Sequence, residues 1–201
     1  MQKLSFVFIF ALLLFSCKKP LANFTEPQPT NTKNLSGFPK KIKGTYHNYE
    51  YGSDLIIDDQ IILLKFQFKD TLNQKEVLQL EKENDVISTK LNDSLFIVNY
   101  TSTDTVFDFK KGNLLRKWKG HYFLNYQNEE TNWEVKKMTY KSNIVSISDI
   151  MEEESLLKLD EITETPNDTL RPKTYNLTKK QFKDFVKQNG FSEQNSYIKQ
   201  K

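Results

Sequence analysis

Residues 133–150 read Trp-Glu-Val-Lys-Lys-Met-Thr-Tyr-Lys-Ser-Asn-Ile-Val-Ser-Ile-Ser-Asp-Ile. Two strand-like runs, Trp133 to Tyr140 and Ile144 to Ile150, flank the polar break Lys141-Ser142-Asn143. Runs of this length rich in β-branched and aromatic residues, joined by so short a turn, predict an antiparallel hairpin. The same grammar extends toward the N-terminus. Ile61 to Phe68 ends with Leu64, Phe66 and Phe68 alternating against Lys65, Gln67 and Lys69, the period of a half-buried strand. Thr45 to Tyr49, Leu55 to Ile57, Val77 to Leu80, Val86 to Thr89, Leu95 to Tyr100, Thr105 to Phe109 and Leu114 to Tyr126 supply further runs, with Asp58-Asp59 and Lys111-Gly112-Asn113 as turns. Seven to nine strands at short spacing predict a mainly β protein. Its architecture is an antiparallel β-meander, as an open sheet, a sandwich or a lipocalin-like barrel.

Composition agrees with this reading. The only alanines are Ala11 and Ala22, so the best helix former is nearly absent, and 15 Phe and 9 Tyr supply much of the apolar surface. One helix is nevertheless expected, over about 178–189. Thr178 as N-cap and Gln181 three residues later form a capping-box signature. Phe182, Phe185 and Val186 share a face, and Gly190 stands at the C′ position after the last turn. Between the last sheet strands and this helix, residues 149–168 carry eight acidic residues against Lys158, and Leu156, Leu157, Leu159 and Ile162 there suit a strand or a short helix.

The N-terminus carries a different message. Met1-Gln2-Lys3 is a short cationic leader, and Leu4 to Phe15 is apolar apart from Ser5. Twelve residues suit a signal h-region and fall short of the about 20 that a membrane span needs. Residues 1–16 therefore read as a signal peptide. Residues 17–39, with Pro20, Pro27, Pro29 and Pro39 and no apolar period, read as a flexible tether. A single β-rich domain would occupy 40–201. Charge divides along the chain: +5 over 18–43, −9 over 44–170 and +6 over 171–201. Basic ends around an acidic middle are no nucleic-acid footprint, and Lys in the N-terminal segment suits either anionic headgroups or a solvated tether.

The ending Leu14-Phe15-Ser16-Cys17 resembles the bacterial lipobox, although Phe15 is bulkier than the residue usual there. The resemblance implies that Cys17, the only cysteine, is the residue that takes the lipid, palmitate included. Membrane lipid would then be the first partner, reached through acylated Cys17. With one cysteine, no intrachain disulfide is available. The segments Phe15-Ser16-Cys17-Lys18-Lys19, Lys119 to Tyr126 with Trp133-Glu134-Val135, and Leu177 to Phe191 resemble small, uncharacterised β-rich lipoproteins of the Bacteroidota. Lys18-Lys19-Pro20 after the cysteine, in place of an acidic sorting signal, implies the periplasmic face of the outer membrane.

Chemistry is sparse. His47 and His121 are the only histidines, there is no Gly-x-Ser-x-Gly or His-Glu-x-x-His, and no glycine-rich phosphate loop occurs. The two histidines fall in similar segments, Lys43 to Tyr49 and Lys119 to Tyr126. With Asp54 or Glu50 they could hold a metal, or they are polar ring positions on strands. Asp58-Asp59 and Glu152-Glu153-Glu154 lack the spacing of a calcium loop. No catalytic residue, metal or cofactor is assigned. Tyr46, Tyr122, Trp118 and Trp133 are the candidate ligand-binding aromatics, either lining a pocket in a barrel or forming the core. The expected role is a lipid-anchored, non-enzymatic envelope module that binds another envelope component, an envelope protein among them, and not nucleic acid. A carrier of a small apolar or sugar ligand, and a hydrolase using dispersed carboxylates, are the alternatives.

Overall fold

The computed structural model describes residues 20–82, 84–128, 131–164 and 171–200. The segment read as a signal peptide (1–16) and Cys17 lie outside the described residues. Thirteen strands occur among the described residues. In chain order they are β1 (Ala22–Phe24), β2 (Asn34–Leu35), β3 (Gly44–Asn48), β4 (Ser53–Ile57), β5 (Ile61–Asn73), β6 (Val86–Lys90), β7 (Leu95–Asp108), β8 (Leu114–Trp118), β9 (His121–Gln127), β10 (Trp133–Lys141), β11 (Ile144–Asp149), β12 (Lys173–Tyr175) and β13 (Glu193–Lys199). Three α-helices accompany them: α1 (Gln74–Leu80), α2 (Glu153–Thr163) and α3 (Lys179–Lys187).

The main sheet runs β2-β8-β9-β10-β11-β13-β3-β4-β5-β7-β6. It is two antiparallel meanders, β8 to β11 and β3 to β7, joined by β13 between β11 and β3. The 133–150 hairpin forms with Met138 opposite Ile147, and its turn places Ser142 and Asn143 at φ 50° and 63°. Two consecutive left-handed residues make the primed turn whose twist matches the strands. The same device divides 114–126: Lys119 and Gly120 sit at φ 47° and 84°, so the single run read there is the β8–β9 hairpin. Conversely, 95–100 and 105–109 join in one long strand, β7, which pairs with β5 from Leu95 to Asp108.

Val77 to Leu80, read as a weak strand, belongs to helix α1. The Asn73 side chain accepts from Glu76 N at 3.1 Å and Glu76 Oε2 accepts from Asn73 N at 2.9 Å. This capping box outweighs the local β propensity. In α3 the box is Thr178 with Gln181 (3.0 and 3.2 Å). At its end, Gly190 N donates to Phe185 O and Asn189 N to Val186 O, with Asn189 at φ 51°. That is a Schellman motif with Asn189, not Gly190, at C′. Gly190 is required one residue later, because a Cβ there would lie 2.0 Å from a ring carbon of Phe185.

Two apolar clusters hold the fold. The first lies inside the curl of the sheet and draws Tyr46, Leu55, Ile62, Phe107, Leu124, Met138 and Val145 from both meanders. Phe107 of β7 meets Tyr126 of β9 edge to face, with ring centroids 5.4 Å apart. The two halves therefore face each other, but β6 and β2 remain unpaired sheet ends, so the sheet is open and no lipocalin-like barrel closes among the described residues. Residues 34–42 bridge the gap instead. Leu35 pairs with Leu115, Phe38 N donates to Asp59 O, and the Phe38 ring packs against Phe107 and Phe109. The second cluster covers the outer face of β9 and β10 with α2, α3, β1 and β12 around Phe123, Phe182 and Phe185.

The reading of 17–39 as a tether is corrected for its described part. Ala22 and Phe24 are buried in the second cluster, and β1 pairs in parallel with β12. Its proline-rich stretch has no period of its own because partners distant in sequence hold it. Arg116 donates to the carbonyls of Pro27 and Pro29, and Asn125 exchanges hydrogen bonds with Gln28 N and O (2.5 and 3.0 Å). The domain thus takes in residues 21–38 as well.

Burial, and to a smaller extent the neighbouring Tyr140, pushes the Tyr46 phenol up to about 12, and burial also raises Tyr122, Tyr126 and Tyr197. An unfolded tyrosine ionises near 10. Between pH 10 and 12 the unfolded state therefore binds fewer protons, and stability falls as pH rises; below pH 10 these groups contribute no slope. From pH 8 the urea midpoint should hold to about pH 10 and drop beyond it, less steeply in Tyr46→Phe. An equal drop in the two proteins would contradict this.

Candidate ligand-binding groove

The β3–β4 turn builds a surface groove edged by exposed aromatic rings. Asn48 is buried, and its Oδ1 accepts from Glu50 N and Tyr51 N, both at 2.9 Å, fixing the turn that Gly52 closes at φ 59°. The turn holds Tyr49 and Tyr51 outward, 72% and 61% exposed. Alternation sends Tyr46 into the core and His47 to the outer face, where Asp54 stands directly opposite on β4. His47 Nδ1 and Asp54 Oδ1 are 2.7 Å apart, and the Tyr49 ring meets the imidazole edge to face at 4.5 Å. Ile198 pairs with both His47 and Ile144, and Ser146 and Ser196 share a hydrogen bond of 2.9 Å on the same face. His47, Tyr49, Glu50, Tyr51, Ile144 and Ile198 line an open groove of about 530 Å³, within the usual range of ligand sites.

The groove offers aromatic faces, an apolar floor and several hydrogen-bonding groups. An acid–imidazole pair beside hydroxyls has the composition of a hydrolytic triad, and Ser146 and Ser196 hydrogen-bond each other. The arrangement suits binding. His121 stands on β9, with three strands between it and β3, so the two histidines share no site. Its ring is partly buried beside Phe123, and burial and then Lys137 push its pKa down. Among the described residues no three His, Cys, Asp or Glu side chains gather to hold a metal.

The four aromatics singled out from the sequence do not converge. Tyr46 and Tyr122 lie in the inner core, Tyr46 donating to Ile42 O at 2.7 Å, while Trp118 and Trp133 pack half-buried on the outer cluster. Sequence reading missed a second polar locus inside the curl. Lys136 Nζ lies 2.7 Å from Asp149 and 3.2 Å from Glu134, and stands over the Tyr126 ring. Burial alone would lower the Lys136 ammonium, but Asp149 and Glu134 outweigh it and its pKa is raised. Burial raises Glu134, against the pull of Lys136. The cluster borders a cavity of about 260 Å³ walled by Leu55, Leu64, Val106 and Tyr197. The only sequence signal for it was the charge pair Glu134 and Lys136 sharing one face of a strand.

No family model, curated protein or solved structure matches this chain. The site therefore has to be read from its own geometry.

Proposed function

We propose that this is a lipid-anchored cell-envelope protein, exported by its signal peptide, acylated at Cys17 and held at the periplasmic face of the outer membrane. In this reading the β-domain is a non-enzymatic module that recognises another envelope component through the β3–β4 groove. The observation that carries it is the exposed pair Tyr49 and Tyr51 beside Glu50, His47 and Asn48. Flat aromatic faces next to carboxylate, amide and imidazole groups suit a ligand with alternating C–H and hydroxyl faces, that is, a saccharide chain. The bacterial lipobox resemblance supports the anchor.

Two measurements test this. Labelled palmitate should enter the wild type and not Cys17→Ala. Isothermal titration with a panel of linear hexasaccharides should find binding that Tyr49→Ala and Tyr51→Ala each weaken roughly five- to tenfold, the worth of one aromatic contact. Because both rings are exposed, melting temperature should not move. Binding that ignores both substitutions would rule the groove out. A carrier reading has one supporting observation, the 260 Å³ cavity beside Lys136, which would admit only a very small molecule.

A further inference from the structure

We infer that the domain rests directly on the phospholipid headgroups, with the end of the β1–β12 pair around residues 20–22 and 172–174 turned to the membrane. The inference rests on the proposed acylation of Cys17. Its geometric basis is where the chain becomes part of the folded domain. Lys173 N donates to Leu21 O at 3.0 Å and Ala22 is the register partner of Lys173, so the chain is held in the folded domain from Leu21 at the latest. Three residues, hence four Cα–Cα steps, separate Cys17 from Leu21, and such a stretch spans at most about 14 Å. A free stretch from 17 to 39 would instead average about 26 Å and reach some 75 Å at full extension. A domain of this size has a radius of gyration of roughly 16 Å, so a 14 Å leash keeps its nearest surface at the headgroups.

The leash cannot lengthen at low cost. Releasing residues 21–34 would expose Phe24 and Gln28, both fully buried, and break the Asn125–Gln28 pair. It would also free Arg116 from Asn34 and from the carbonyls of Pro27 and Pro29, and Lys179 from Asn31 O. The two residues after Cys17 are lysines, whose charge suits anionic headgroups.

The chain has its own reporters. Its only two tryptophans, Trp118 and Trp133, belong to the cluster that receives β1, and Trp133 is the register partner of Phe24. The lipidated protein should be reconstituted in phosphatidylethanolamine–phosphatidylglycerol vesicles (3:1) carrying a dansyl headgroup, and energy transfer from tryptophan measured. Transfer should be strong in the wild type. It should fall at least about threefold when a flexible 20-residue Gly-Ser insert separates Lys19 from Pro20, since that insert adds roughly 25 Å of average reach. The insert alters no packed residue, and an unchanged melting curve verifies its folding. Equal transfer with and without the insert overturns the inference. Flotation with vesicles tests the anchor separately: wild type that floats no better than Cys17→Ala overturns acylation itself.

Discussion

Replacing Lys173 by alanine should destabilise the protein by about 3–5 kcal/mol, the cost of leaving a buried carboxylate without its cation. Lys173 Nζ lies 2.8 Å from Asp160 Oδ2, with the two side chains 4% and 9% exposed. The Tyr175 hydroxyl donates to the other carboxylate oxygen at 2.8 Å. These three groups tie β12 to α2, and β12 in turn holds β1, so the effect should spread to residues 21–25. In a domain of this size the loss corresponds to a melting temperature lower by roughly 10 °C. The combined variant Lys173→Met, Asp160→Leu, Tyr175→Phe should recover most of it, because no charge then remains to be desolvated. Chemical denaturation of the single and triple variants measures both. A single variant within 1 kcal/mol of wild type would mean that water reaches Asp160.

Phe182→Ala should cost a similar amount, about 3–5 kcal/mol, by opening a cavity at the centre of the outer cluster. The Phe182 side chain is fully buried. Its ring lies 5.0 Å from Phe123, 6.2 Å from Phe191 and 6.4 Å from both Phe24 and Trp118. It thereby joins helix, sheet, C-terminal loop and N-terminal strand at one point. The residue has a second role as the main apolar anchor of a nine-residue helix, which is too short to persist alone in water. Hydrogen exchange should accordingly speed up in α3 and in β1, and stay slow in β4 and β5, whose core is the inner cluster. Uniform acceleration throughout would show that the two clusters unfold as one.

The contrast between these clusters explains how much could be read in advance. Strand positions were legible wherever a period of two survived, as at Leu64, Phe66 and Phe68, and the 133–150 hairpin was legible from its break alone. The Asn73–Glu76 capping box was present in the sequence as well, ahead of a run that nonetheless read as strand. The groove was half legible: His47, Asp54 and Glu50 stood out, but as possible metal ligands. Whether a tyrosine on a strand faces inward is a matter of register, which only pairing with a neighbour decides. Tyr46 and Tyr49 thus part company, one buried against Ile42 and the other open to solvent.

What the sequence determined by itself is local: the strands and most of their turns, and the α3 cap at Thr178 and Gln181. These depend on neighbours within a few residues, so the order of residue types suffices. The tertiary structure alone decided that β13 inserts between the two meanders, that the sheet curls without closing, and that the proline-rich segment after residue 20 packs instead of trailing free. Each of these depends on contacts between residues far apart in the chain, such as Arg116 with Pro29 or Asn125 with Gln28. A segment without periodicity has no local signal of burial. Its backbone polar groups can be satisfied equally by water or by a distant side chain, and only the folded chain selects between them.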